Sequence, residues 1–247
     1  MICKFIFLFK FEDRSYIGLE VRPRQSTTRS SSSLFFFLGN WNGEKTIDLE
    51  QDSDAGYAAR MSNFLDELEY LQSGSVHCTE DELVRTRKSH KPPCKIEGTS
   101  LGHCSYFPYG YSKDSGMKPC FSLELKTLDF VPEPYEADDD DGFEYLYLPF
   151  EIREMVLDPN EPRRIYVDCY GEHPVDEEVI LGTVTYYPSH QGFPMGFFPR
   201  KTGDFGPLLA VQFSDVPKGQ AIHVVCSLYF KGSENFEDTK FPIIIEH

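Results

Sequence analysis

The spacing of apolar residues along this chain changes period once. Between Asp54 and Gln72 the apolar positions are Met61, Phe64, Leu65, Leu68 and Leu71, the three-and-four spacing of one helix face, with Asp52, Ser53 and Asp54 ahead of them as caps. This predicts an amphipathic helix covering one face of a core. From Cys120 onward the period becomes two. Phe121, Leu123 and Leu125 alternate with Ser122, Glu124 and Lys126, and Ile165, Val167 and Cys169 alternate with Tyr166, Asp168 and Tyr170, each the mark of a strand with one buried face. Val179 to Tyr187, Leu208 to Phe213, Ile222 to Phe230 and Phe241 to Ile245 read as further strands, separated by turns such as Pro217-Lys218-Gly219. One helix followed by many short strands predicts a mainly β, mostly antiparallel sandwich.

The segment RPRQSTTRSSSS at 22–33 is polar, basic and serine-rich, which marks a flexible or extended lead-in. Residues 1–33 are therefore assigned to a non-core lead-in and 34–247 to one folded domain, and the N-terminal third is expected to hold little of the core. The opening apolar run, Met1 to Phe11, contains Lys4 and Lys10 and falls short of the roughly 20 residues a membrane-spanning helix needs. No membrane span is assigned to the sequence as it stands. With 40% hydrophobic and 15% aromatic residues, the chain carries enough apolar surface for a sizeable core. Forty acidic against 24 basic residues give a net charge of −16, the wrong sign for nucleic acid or an anionic membrane surface. The acidic run between Glu136 and Gly142 is expected to be a solvated loop, its spacing matching no calcium-binding loop.

Seven cysteines add the most. Cys3 stands apart in the lead-in and its state is not assigned. Cys78, Cys94, Cys104, Cys120, Cys169 and Cys226 fall in the folded region, where six thiols allow fifteen pairings. Cys169 shares an inward row with Ile165 and Val167, and Cys226 shares one with Ile222, Val224, Leu228 and Phe230. Both sulfurs then point into one core, and a bridge between two sheets is expected. The other four lie in a turn-rich stretch where sequential pairing closes two compact loops, each contributing about 3 kcal/mol in the chain-entropy account. The adjacent pairs His77-Cys78 and His103-Cys104 raise zinc as a rival, but the chain has no C-x2-C or H-x3-H knuckle, so no metal ligand, cofactor or catalytic residue is assigned. Disulfides imply an oxidising compartment. None of Asn40, Asn42, Asn63, Asn160 and Asn235 begins an N-glycosylation sequon.

Several segments resemble the beta subunits of the sodium/potassium-transporting ATPase and its proton/potassium relative. They are Cys104-Ser105-Tyr106-Phe107-Pro108-Tyr109-Gly110-Tyr111 through Lys118-Pro119-Cys120, then Leu123-Glu124-Leu125-Lys126 and Phe130-Val131-Pro132-Glu133-Pro134-Tyr135. Val167-Asp168-Cys169-Tyr170-Gly171, the aromatic-proline stretch around Gly192-Phe193-Pro194 and Phe197-Phe198-Pro199, and Pro207-Leu208-Leu209-Ala210-Val211-Gln212-Phe213 complete the set. The resemblance implies an immunoglobulin-like sandwich with an inserted helix, and the pairing Cys78–Cys94, Cys104–Cys120 and Cys169–Cys226.

It further implies an accessory, non-enzymatic chain that binds the extracellular loops of a catalytic alpha subunit, stabilises and matures it, and sits at the outer face of the plasma membrane. In that family a short cytoplasmic tail and one N-terminal spanning helix precede the domain. Neither is read here, so membrane association is expected only through the partner or an anchor missing from the sequence. Exposed aromatics and prolines suit preformed interfaces, which assigns the partner-facing surface to Phe193, Pro194, Phe197, Phe198, Pro199, Phe205, Pro207 and Leu208. The alternative is a secreted or cell-surface adhesion module with the same sandwich and no pump partner.

Overall fold

The computed structural model describes residues 16–22, 47–48, 54–85, 91–111, 117–128, 131–136, 148–188, 191–198, 206–233 and 238–245. Nine strands and four α-helices occur among them, in the order β1 (Tyr16–Arg22), β2 (Ile47–Asp48), α1 (Asp54–Leu71), α2 (Glu80–Leu83), β3 (Cys120–Leu128), α3 (Phe150–Leu157), β4 (Arg164–Gly171), α4 (Pro174–Ile180), β5 (Val184–Tyr187), β6 (Gly192–Pro194), β7 (Leu208–Phe213), β8 (Ala221–Tyr229) and β9 (Thr239–Ile244). One sheet has the order β1-β3-β7-β5 and the other β2-β9-β8-β4-β6. All these pairings are antiparallel except β2 with β9. The result is the antiparallel, immunoglobulin-like sandwich that the period-two pattern and the resemblance predict.

The core between the sheets is aromatic. Phe121 of β3 lies 5.8 Å, centroid to centroid, from Phe213 of β7 and 5.3 Å from Phe241 of β9, across the gap between the sheets. Such tilted and edge-on pairs add to what burial of the rings alone supplies. Strand alternation sends Cys120, Ser122 and Glu124 to the opposite face of β3, yet these are buried too. Helix α1 lies over that face, with the Ser122 hydroxyl donating to the Met61 sulfur at 3.8 Å. A 3-10 segment, Gly98–Ser105, covers the rest through the Cys104–Cys120 disulfide. Both faces of this sheet are therefore covered, which is why all six residues of β7 are buried. On the outer side of the five-stranded sheet, Ile152 and Val156, one turn apart on α3, cluster with Tyr135, Leu148 and Tyr166.

Five expectations need correction. The N-terminal third contributes to the main core, because Ala58, Met61, Phe64 and Leu68 of α1 join it. Strand β1, inside the segment read as a lead-in, pairs with β3 over seven residues; residues 23–33 and the caps Asp52 and Ser53 lie outside the described residues. Only Val184–Tyr187 of the stretch Val179–Tyr187 is strand. Val179 and Ile180 end α4, which Pro174 opens and which Asp176 and Glu177 in the first turn favour. Helices α2, α3 and α4 all escape the one-helix reading, each being too short to set up a strong 3.6-residue period. Finally, Cys169–Cys226 does not bridge the two sheets. It joins β4 to β8, neighbours in one sheet.

Candidate functional site

Three disulfides hold the segments that the sequence singles out. Cys78–Cys94 closes a 16-residue loop carrying α2, whose Thr79 and Glu82 form a reciprocal cap. This loop lies directly on the aromatic-proline stretch. The Cys94 N–H donates to the Gly196 carbonyl at 2.9 Å, and a side chain at Gly196 would put its Cβ 2.5 Å from the Leu83 carbonyl oxygen. Phe193, Pro194, Phe197 and Phe198 are consequently buried, Phe197 at 3% exposure and Phe198 at 0%. Pro207 and Leu208 are buried as well, the Pro207 carbonyl accepting from the Leu125 N–H at 2.9 Å. Pro199 and Phe205 lie outside the described residues. The six described members of the expected partner surface thus pack the interior, because a disulfide-closed loop covers the turn that carries four of them.

Besides Tyr70 and Phe150 on helices α1 and α3, two adjacent exposed aromatics sit on the loop closed by Cys104–Cys120. Tyr106 is 64% exposed and its neighbour Phe107 72%, while Tyr109 and Tyr111 are buried beneath them. The buried tyrosines anchor the turn, with the Tyr111 hydroxyl donating to the Cys120 carbonyl. Gly110 has φ 80°, and an added Cβ would come within 1.8 Å of the Lys118 carbonyl oxygen, so both its backbone and the space around it require glycine.

Around the third disulfide the sheet is polar. Cys169 and Cys226 stand directly opposite with Cα atoms 4.1 Å apart, close to the spacing of a non-hydrogen-bonded antiparallel pair. In keeping with that, the Cys169 N–H points away from β8 and donates to the Tyr186 hydroxyl at 2.7 Å. Tyr186 in turn donates to Asp168 at 3.4 Å, and Gln191 Nε2 donates to the same carboxylate oxygen at 2.8 Å. Burial, with the negative charges of Glu151 and Glu177 adding to it, raises the Asp168 pKa to about 6. Burial also raises Tyr166 to about 12 and pushes Tyr186 and Tyr229 upward. At the end of the same strands, His173, Asp176 and His223 bring one ligand atom each within 4.8 Å of one another. No sequence signal of local spacing marks this trio.

Two packed sheets, helical covers and three disulfides define a β-sandwich domain of the stapled kind found in oxidising compartments. The family model described as "Sodium / potassium ATPase beta chain" matches residues 10–241, and the chain belongs to that family. It is similar to "Sodium/potassium-transporting ATPase subunit beta-1" of Drosophila melanogaster, 26% identical over 221 residues, covering 87% of this chain and 63% of that protein. It is also similar to "Sodium/potassium-transporting ATPase subunit beta-2" of the same fly, 33% identical over 231 residues, covering 87% and 66%. The chain therefore spans a little under two thirds of the length of these relatives. Among the described residues no helix is long and apolar enough to cross a membrane.

Proposed function

We propose that this chain is a non-catalytic accessory subunit of a sodium/potassium-exchanging P-type ATPase, binding the extracellular loops of the catalytic alpha subunit at the outer face of the plasma membrane. There it stabilises the partner, supports its maturation and tunes its cation handling. The observation that carries this reading is the family match across residues 10–241. ATP hydrolysis belongs to the partner, and this chain supplies a rigid, disulfide-held surface. The contact is placed on Tyr106 and Phe107, because adjacent exposed aromatics on a turn fixed by Cys104–Cys120 and by buried Tyr111 are preorganised for a partner.

The test is co-expression with a catalytic alpha subunit, followed by affinity purification and surface labelling of that subunit. The expected result is a stable complex and a larger surface pool of alpha. A folded, disulfide-bonded chain that neither retains alpha nor changes its surface level would overturn the reading in favour of an adhesion module.

A further inference from the structure

We propose that His173, Asp176 and His223 form a binding site for a divalent transition-metal ion, with zinc as the prime occupant. The three donors come from two supports that the backbone ties together. His173 precedes α4 and Asp176 lies in its first turn, three residues on, so both project from one helical turn. His223 lies in β8, and its carbonyl accepts the Glu172 N–H at 2.8 Å, which fixes the approach of the α4 segment to that strand. Gly171 allows the approach, since a Cβ there would stand 2.0 Å from the Glu177 nitrogen. The Cys169–Cys226 bond locks the same two strands nearby.

The observation pointing to a ligand is Asp176. The residue is 4% exposed, and its Oδ2 is buried with no hydrogen-bond partner among the described residues. A buried carboxylate oxygen left in that condition is costly. The atom facing it is His223 Nδ1 at 3.7 Å, too far for a hydrogen bond. Two ligands on one tetrahedral zinc, each at 2.0–2.1 Å from the metal, stand about 3.3 Å apart. The separation found is thus close to the span that a shared metal requires. The His173 and His223 rings meet edge-on with centroids 5.8 Å apart, and a ring nitrogen of each lies within 4.8 Å of the other and of the Asp176 carboxylate.

The chemistry of the donor set selects the metal. Two imidazoles and one carboxylate suit zinc and its neighbours, whereas calcium and magnesium take oxygen ligands. Glu172, next to His173 in the chain, adds a carboxylate near the trio and is itself ion-paired with Lys240 at 2.7 Å. Glu177 supports the site from the other side, accepting the Gly171 N–H at 2.6 Å. Three protein donors leave the fourth position to water or to a donor from another molecule.

The test uses the intact, disulfide-bonded chain, freed of metal with a chelator and titrated with zinc by calorimetry and with cobalt(II) by visible absorption. The expected result is one equivalent bound, with the intense ligand-field bands of a low-coordinate cobalt site and a rise in the thermal midpoint. His173→Ala, His223→Ala and the isosteric Asp176→Asn each weaken binding at least about tenfold, the scale that even supporting residues around a metal carry. Metal-free His173→Ala, whose lost side chain is exposed, keeps the wild-type unfolding midpoint and serves as the folding control. Absence of stoichiometric binding at micromolar zinc overturns the proposal. So does binding that survives all three substitutions, which would assign the metal to other histidines such as His77 and His103.

Discussion

The side-chain amide of Gln72 clasps the backbone of Ile96 on both sides. Its Nε2 donates to the Ile96 carbonyl at 3.0 Å, and the Ile96 N–H donates to its Oε1 at 2.6 Å. Both groups are buried, so the end of α1 is joined to the segment after Cys94 by a pair of bonds that water does not replace. Gln72→Leu keeps the size but orphans two backbone groups. It is expected to destabilise the domain by about 1–3 kcal/mol, measured by urea denaturation. A change under half of that would remove the clasp from the list of stabilising contacts.

The aromatic-proline stretch and the exposed aromatic turn make opposite predictions. Phe197→Ala with Phe198→Ala removes two buried rings, each expected to cost about 3–5 kcal/mol, and the protein should lose its cooperative unfolding transition. Tyr106→Ala with Phe107→Ala removes exposed rings, so the thermal midpoint is expected to hold within a few degrees while co-purification with an alpha subunit falls. Normal folding in the first variant would contradict the buried placement; undiminished partner capture in the second would take the contact away from the turn.

Asp168 predicts a pH dependence. Its folded pKa, about 6, lies above the ordinary value of 3.8, so the fold favours the protonated form. That contribution is complete below about pH 4 and is lost as pH rises through about 6. Asp168→Asn never ionises. It is expected to be more stable than the parent by about 1–2 kcal/mol at pH 7.5, with the difference vanishing near pH 4, in guanidinium denaturation at the two pH values. Other groups titrate alike in both proteins, so a difference independent of pH would exclude the carboxyl group as the cause.

Replacing both Cys169 and Cys226 by serine opens a 57-residue loop and is expected to cost about 4 kcal/mol in chemical denaturation. Because the bond joins strands already paired through β4 and β8, the folded fraction should retain its far-ultraviolet circular dichroism. Loss of sheet signal under conditions where the parent is folded, together with a cost far above that figure, would mean that the bond organises more than this strand pair.

Much of the fold is legible in the sequence because most of its strands obey one period. Rows such as Ile165-Val167-Cys169 and Ile222-Val224-Cys226 state which face is buried. They do not state which strand lies alongside, and for that reason the third disulfide is assigned from the pattern to the wrong pair of layers. Helix α1 is legible because 18 residues hold a steady stripe. Helices α3 and α4 have eight and seven residues, and the β-branched Val179 and Ile180 argue locally for a strand. The aromatic-proline stretch has a composition that suits either an interface or a packed turn, and the choice depends on the α2 loop, more than 100 residues earlier in the chain. The metal-ligand trio is hidden for a similar reason. His173 and Asp176 are neighbours in sequence, but the strand pairing that delivers His223 is not written in any local spacing.

The three disulfides are sequential, neither nested nor crossed: Cys78 with Cys94, Cys104 with Cys120, and Cys169 with Cys226. A chain threaded N-terminus first into an oxidising compartment would offer each of these cysteines its native partner as the next of the six to emerge. Among these six, pairing in order of arrival is then already correct, and the first two loops are sealed before β4 has entered. Native connectivity can be reached during synthesis without later exchange of partners.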